Sequence, residues 1–166
     1  TSLYADTDYF DASNAASLVN SSGLGQMTTV ELQKYLSDKK ANISPFIGER
    51  TQGVTGSADK EGLKTAFEMI YGYFTAPRIE EDVFKSTISR AVSSMENREN
   101  NPSFVFSETI QKSLYGDNVR RVPANAADIQ SISKDKALSI FQERFADASD
   151  FTFMIVGSFT EEEITP

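Results

Sequence analysis

Residues 56–84 read GSADKEGLKTAFEMIYGYFTAPRIEEDVF and contain the strongest amphipathic helix of the sequence. After Ser57 or Asp59, either of which can serve as the N-cap, apolar residues recur at helical spacing on one face. These residues are Leu63, Ala66, Phe67, Ile70 and Phe74. Ala76-Pro77 ends the helix, because the residue before a proline is disfavoured in helical conformation. A single apolar stripe has to be covered, so the stretch predicts a helix that packs on another layer of structure.

A second helix is predicted from about Ile79, where apolar residues again fall on one face. They are Val83, Phe84, Thr87, Ile88, Ala91, Val92 and Met95. We expect the two helices to be neighbours on one side of a sheet.

Strands are predicted on both sides of this helical pair. ANISPFIGERTQGVTGSA (41–58) is rich in β-branched residues and predicts two strands joined near Gly48, with Pro45 at an edge or bulge. TSLYAD (1–6) alternates loosely, and FTFMIVGSF (151–159) is typical of a strand buried on both faces. Strands and helices do not alternate strictly, so the order favours an α+β domain.

The remaining helices are predicted from their local start and stop signals. DASNAASLVNSS (11–22) is followed by glycines, and Thr28 with Glu31 has the form of a capping box. Asn101-Pro102 is expected to begin a helix on which Phe106, Ile110 and Leu114 repeat at every fourth residue, and Ser133 is expected to cap another.

The composition indicates one soluble domain and excludes several kinds of chemistry. The chain has 166 residues and a net charge of −8, which disfavours nucleic acid as a partner, and no stretch predicts a membrane span. It has no histidine and no cysteine, so a Ser-His-Asp triad, a histidine-bound metal and disulfides are excluded. It starts at Thr1 without a leader and has no methionine before Met27, so we expect a piece of a longer protein.

Four segments, taken in order, resemble the repeat domain of the pitrilysin/insulinase family of zinc metallopeptidases. They are GLGQMTTVELQKYLSDKKANISPF (23–46), the stretch 56–84, YGDNVRRVP (115–123) and FTFMIVGSFTEEEITP (151–166). The likeness covers nearly the whole chain. It implies an antiparallel-rich sheet of about four to six strands backed by helices on one face. It also implies that the parent protein contains several such domains, which are folded as two halves that close around a peptide.

In the active repeat of that family, an inverted His-x-x-Glu-His motif lies on a helix before the glycine matched by Gly23. Counted without gaps, its five positions fall on residues 14–18, where Asn14 and Leu18 replace the imidazoles and Ser17 replaces the general base. The third ligand of the family, a glutamate, would fall in ISRAVSSM (88–95), which contains none; the nearest candidate is Glu96. The resemblance therefore implies no catalytic, cofactor-binding or metal-binding residue in this chain.

The function implied is that of a single non-catalytic repeat domain, residues 1–166, excised from a larger multi-domain zinc protease, where it opens the C-terminal half. It would form part of the peptide-enclosing chamber and assist substrate binding, with zinc in the catalytic domain of the parent protein. Expected partners are other domains of the same polypeptide and peptide substrate, and a bacterial periplasm or cell envelope is the favoured location. The alternatives are a structural or scaffold subunit of the same fold, and an unrelated interaction domain.

Two charged groups suggest other interpretations. Asp6, Asp8 and Asp11 suggest a calcium site, but the glycine and distal glutamate of a calcium loop are missing, and a solvated strand end is expected instead. Arg120 and Arg121 are the residue type that clamps carboxylates, and here a loop ion pair is expected.

Overall fold

The computed structural model describes residues 1–98, 100–160 and 164. A short 3-10 helix, Asp6–Asp8, precedes the first α-helix, and another, Ala148–Asp150, follows the last. The elements between them run in the order α1 (Tyr9–Asn20), α2 (Thr29–Leu36), β1 (Ala41–Ile47), β2 (Gln52–Ala58), α3 (Leu63–Thr75), α4 (Glu81–Arg98), α5 (Pro102–Tyr115), α6 (Ala126–Gln130) and α7 (Lys134–Arg144). The predicted α+β class is confirmed.

The sheet of the described residues is the antiparallel hairpin β1–β2, in which Pro45 lies opposite Val54. The turn between the strands is closed by the Gly48 amide, which donates to the Thr51 carbonyl at 2.7 Å. The two strands joined near Gly48 are therefore confirmed, and Pro45 is tolerated because β1 has only one strand neighbour among these residues.

Helix α3 packs on this hairpin, but the face that it buries is offset from the predicted apolar stripe, with which it shares only Ala66. Thr65, Ala66, Met69 and Tyr73 are buried, while Phe67 and Ile70 are half-buried. The predicted N-cap is wrong: the cap position is Gly62, and the Asp59 carboxylate instead accepts from the Gly62 amide at 2.8 Å. A turn of three residues thus separates Asp59 from the helix.

Helix α4 is not the neighbour of α3 that its pattern suggested, because it packs chiefly against α6. The chain leaves helical conformation at Ala76, with φ −146° and ψ 49°, and α4 begins five residues later. Its apolar residues are only partly buried. A helical pattern identifies the face that packs, but it does not identify the partner.

The densest part of the core lies between α1 and α7. Ala12 and Ala15 are fully buried on α1, which lets α7 approach closely. Phe141 stacks on Phe145 with ring centroids 4.3 Å apart, and Phe74 of α3 meets Phe145 edge-on at 5.4 Å. These rings join α3 and α7 into one core.

The predicted strand count of four to six is too large, because only two strands occur in the part of the chain that the structure describes. The predicted strand 1–6 is absent from the described structure: residues 2–4 form a turn, in which the Tyr4 amide donates to the Thr1 carbonyl, and the 3-10 helix begins at Asp6. Residues 151–157 pair with no strand of the described part of the chain, although Phe151 has extended angles, φ −108° and ψ 143°. A strand needs a partner edge as well as a suitable sequence, and neither segment has one among the described residues. The end of the resembling segment, 161–166, lies mostly outside the described residues.

Candidate functional site

Helix α1 carries the three positions that match the metal-binding motif, and they differ in how far they are exposed. The Leu18 side chain is buried in the core, Asn14 is half-buried, and Ser17 is exposed. The Asn14 amide donates to the Phe10 carbonyl at 2.8 Å, and the Ser17 hydroxyl donates to the Asn14 carbonyl at 2.9 Å. Both polar groups therefore bond to the backbone of their own helix.

The segment in which the third ligand was expected lies on α4, which packs chiefly on elements other than α1. Glu96 is exposed near the end of α4, and α4 packs chiefly against α6, whereas α1 packs against α7 and β1. In residues 1–98, 100–160 and 164, no group of three or more acidic side chains is arranged to hold a metal ion. Over the same residues, no helix is long and apolar enough to cross a membrane.

The loop after α1 is fixed by a carboxylate that the sequence analysis did not single out. Glu80 Oε1 accepts from the Gly23 amide at 2.9 Å, the Thr29 amide at 2.7 Å and the Thr29 hydroxyl at 2.9 Å. Burial alone would raise the pKa of Glu80, but these bonds and the nearby Arg78 guanidinium together lower it below its ordinary value. Because Glu80 lies 51 and 57 residues from its partners, no local pattern identifies it.

At this junction, neighbouring atoms approach Gly23 so closely that they leave no room for a side chain. A Cβ atom built on Gly23 would lie 2.0 Å from the Met27 carbonyl oxygen and 2.7 Å from Glu80 Oε1. The glycine that the family resemblance matched thus lets the end of α1, the start of α2 and the start of α4 meet.

Tyr73 joins three elements at the inner end of the hairpin. Its hydroxyl lies 3.1 Å from Asn20 Oδ1 on α1 and 3.3 Å from the Ile43 carbonyl oxygen on β1. Burial raises the pKa of Tyr73 to about 12. The phenol therefore stays neutral at physiological pH and acts as a structural donor rather than a general base.

The N-terminal aspartates do not form the solvated strand end that was expected. Asp6 bonds to Arg120 Nε at 2.7 Å, Asp8 pairs with Lys136, and buried Asp11 accepts from the Ser133 amide at 2.7 Å. The ion pair expected for Arg120 is confirmed, and its guanidinium also lies over the Tyr9 ring at 5.0 Å. The three carboxylates are spread over separate partners and do not converge on one point.

A cavity of about 560 Å³ lies beside the hairpin, and we call it the α3 groove. One wall is β2, the other is the segment 151–157, and the floor is the α3 face with Leu63, Ala66, Phe67 and Ile70. Asn14, Ser17 and Leu18 do not line it. The groove offers apolar side chains and strand backbone, which are the groups that bind an extended polypeptide.

Known proteins similar to this chain are named as zinc proteases. The chain is 20% identical over 146 residues to the probable zinc protease PqqL of Escherichia coli strain K12, a match that covers 88% of this chain and 16% of that protein. It is 29% identical over 97 residues to the zinc protease PQQL-like of Arabidopsis thaliana, covering 58% of this chain and 10% of that protein. No family profile matches the chain.

Solved structures of proteases share the fold. The crystal structure of the periplasmic protease PqqL from Escherichia coli matches with a TM-score of 0.78 at 19% identity, over 97% of this chain and 18% of that one. A mutant of the ferredoxin protease FusC, solved in complex with Arabidopsis ferredoxin, matches with a TM-score of 0.66 at 21% identity, over 82% of this chain and 15% of that one. The chain thus spans less than a fifth of the length of each of these relatives.

Proposed function

Because the chain is related to the pitrilysin-type zinc proteases, we propose that it is a non-catalytic domain, residues 1–166, of a longer zinc protease. The observation that carries the proposal is the packing of α1. The helix that resembles an active-site helix has Leu18 buried in the core and Asn14 bonded to its own backbone. A leucine side chain offers no lone pair to a metal, and an amide is a poor ligand for zinc.

In this role the domain forms part of the wall of a peptide-enclosing chamber and assists substrate binding, while zinc is held by the catalytic domain of the parent. The relatives are named zinc proteases and are several times longer than this chain, which supports a division of labour between domains. PqqL of Escherichia coli is a periplasmic protease, which supports a periplasmic location for this protein as well.

The first test is zinc binding by the chain, measured by calorimetry at neutral pH, together with cleavage of a fluorescence-quenched peptide. We expect neither stoichiometric zinc binding below micromolar concentration nor cleavage that a chelator suppresses. Either result would contradict the non-catalytic assignment, because the chain would then hold a metal site of its own.

The second test concerns substrate. Fluorescein-labelled, reduced and carboxymethylated lactalbumin serves as an unfolded polypeptide, and the native form of the same protein serves as the matched control. We expect the anisotropy of the unfolded form to rise with added chain while that of the native form stays constant. Equal behaviour of the two forms would argue against a peptide-holding role.

The alternative function, a scaffold domain of the same fold without a protease role, is favoured by one observation on α5. Phe106, Ile110 and Leu114 form an apolar stripe on that helix and are exposed. Such a stripe suits packing against a folded neighbour. A scaffold predicts binding to neither form of lactalbumin, so the second test separates the two functions.

A further inference from the structure

Helix α5 exposes its apolar side. Phe106 and Leu114 are each 69% exposed and Ile110 is 44% exposed, and the three form one stripe because they recur at every fourth residue. The partly buried residues of α5 are instead Phe104, Glu108 and Gln111. A surface helix normally turns its apolar stripe to the core and its charged residues to solvent. The arrangement on α5 is the reverse, so the α5 stripe faces something other than the core of its own chain.

The α5 stripe has the symmetry that pairing with a second copy of the chain requires. When two copies of a helix pair antiparallel about a two-fold axis, residue i of one contacts residue j of the other, and j contacts i. With Ile110 on the axis, Phe106 of each copy lies opposite Leu114 of the other. Ser107 lies opposite Ser113 in the same way. Apolar residues thus meet apolar residues, and serines meet serines, along the whole face.

The charges on and around α5 are complementary in this arrangement. Glu108 and Lys112 are the charged residues of α5, and they pair at 2.9 Å on the side of the helix away from Ile110. The face centred on Ile110 is therefore uncharged. Asp117 follows the C-terminal end of α5, and antiparallel pairing brings it beside the N-terminus of α5 in the other copy. The first turn there has no acidic residue of its own, and the helix dipole favours a carboxylate at that end.

We infer that α5 is a self-association surface, on which it pairs antiparallel with α5 of a second copy of this chain about a two-fold axis through Ile110. The contact is about 21 Å long, which is the length of a helix of 14 residues. One pair of such helices covers less than the roughly 800 Å² per partner of a standard interface, so the dimer is reversible, with a Kd of about 10 to 100 μM. The pairing does not depend on whether the domain holds substrate.

The first experiment is sedimentation velocity over concentrations from about 1 to about 500 μM, which bracket the expected Kd. The weight-average sedimentation coefficient should rise from that of a monomer to that of a dimer. Each chain carries a net charge of −8, so the copies repel each other at long range. The dimer should therefore strengthen when salt is raised from about 10 to about 150 mM. A chain that stays monomeric throughout would overturn the inference and leave another domain of the parent polypeptide as the cover of α5.

A matched pair of glutamate variants separates the α5 stripe from the rest of the helix. Ile110→Glu places two carboxylates face to face on the axis and should weaken the dimer by at least about tenfold. Thr109→Glu adds the same charge, but its side chain points about 100° away from Ile110, so the Kd should change by less than about threefold. Both positions are exposed, and far-UV circular dichroism checks that both variants fold. Equal effects of the two variants would overturn the inference.

Single cysteines report the register of the pair, because the chain has no cysteine of its own. Ile110→Cys brings two thiols together on the axis and should give a disulfide-linked dimer on oxidation, since a disulfide needs Cα atoms within about 7 Å. Phe106→Cys should not link to itself, because antiparallel pairing separates the two copies of residue 106 by about 12 Å along the helices.

A mixture of Phe106→Cys and Leu114→Cys should form the crossed disulfide, because these two positions lie opposite each other in the pair. This measurement stands even if Ile110→Glu fails to fold. Faster self-linkage of Phe106→Cys than of Ile110→Cys would overturn the inference, because the helices would then be parallel. A dimer that persists in folded Ile110→Glu would also overturn it, because the copies would then meet on another face.

Discussion

Replacing Phe141 with alanine tests the core that joins α1, α3 and α7. The Phe141 side chain is fully buried and stacks on Phe145 at 4.3 Å. Loss of a buried aromatic side chain costs about 3 to 5 kcal/mol, which includes the cavity left behind. For a chain of this length, that cost corresponds to a fall in Tm of roughly 9 to 14 °C. The free energy of unfolding is measured from urea melts followed by far-UV circular dichroism.

The control for this prediction is Phe106→Ala on α5, where the side chain is 69% exposed. That change should alter the free energy of unfolding by less than about 0.5 kcal/mol. A loss below about 1 kcal/mol for Phe141→Ala would refute the assigned packing of α7, since a buried ring cannot be removed so cheaply. Comparable losses for the two variants would show that α5 belongs to the same core.

Three further predictions concern α1 and the loop that follows it. Glu80→Gln should lower the free energy of unfolding by about 1 kcal/mol, because the bonds from Gly23 and Thr29 lose a charged acceptor that is partly screened by solvent. The control is Asp82→Asn at a neighbouring exposed carboxylate. Equal losses for the two variants in urea melts would contradict the role assigned to Glu80. The pKa of Glu80 is lowered on folding, so its contribution is present above the ordinary value of 4.5 and is lost as pH falls through the folded value. As pH falls, the free energy of unfolding should therefore decrease less for Glu80→Gln than for the parent chain. Parallel curves of stability against pH would contradict the lowered pKa of Glu80. Leu18→His should lower the free energy of unfolding by at least about 2 kcal/mol, because it buries an imidazole in place of a leucine. If added zinc raised the Tm of this variant, position 18 would face a metal site.

Local signals in the sequence predicted most element boundaries. Thr28 accepts from the Glu31 amide and Glu31 accepts from the Thr28 amide, which is the capping box predicted from residues 28–31. Ser133 caps α7, and the Asn101 side chain caps α5 before Pro102. These predictions succeeded because a cap is decided by residues three positions apart.

Predictions that depended on distant partners failed. FTFMIVGSF has the composition of a buried strand, but whether it forms one is decided by a neighbouring edge that its own residues do not specify. The side-by-side packing of α3 and α4 failed for the same reason, since each apolar stripe suits several partners. The cap at Asp59 was displaced because its carboxylate bonds to the Gly62 amide within a turn.

The candidate site was predictable only in part. The register on α1 identified Asn14, Ser17 and Leu18, and their assignment as remnants of a metal site stays a prediction. The carboxylate that holds the neighbouring loop belongs to Glu80, directly before α4, where the helix dipole explains an acidic residue without any tertiary role. Its partners Gly23 and Thr29 lie too far along the chain for pattern analysis to pair them with Glu80.

The placement of Tyr73 sets a limit to stability on the alkaline side. Its oxygen faces two acceptors, the Asn20 side-chain oxygen and the Ile43 carbonyl, so a phenolate there would meet two partial negative charges without a donor. The pKa of Tyr73 is raised from 10.0 to about 12, so the stabilisation is complete below the ordinary value and disappears as pH rises through the folded value. The chain has no tryptophan, so its near-ultraviolet absorbance comes mainly from tyrosine. Alkaline titration of that absorbance follows the ionisation of all six tyrosines, and the Tyr73 phenol, whose pKa is raised to about 12, should ionise late in it.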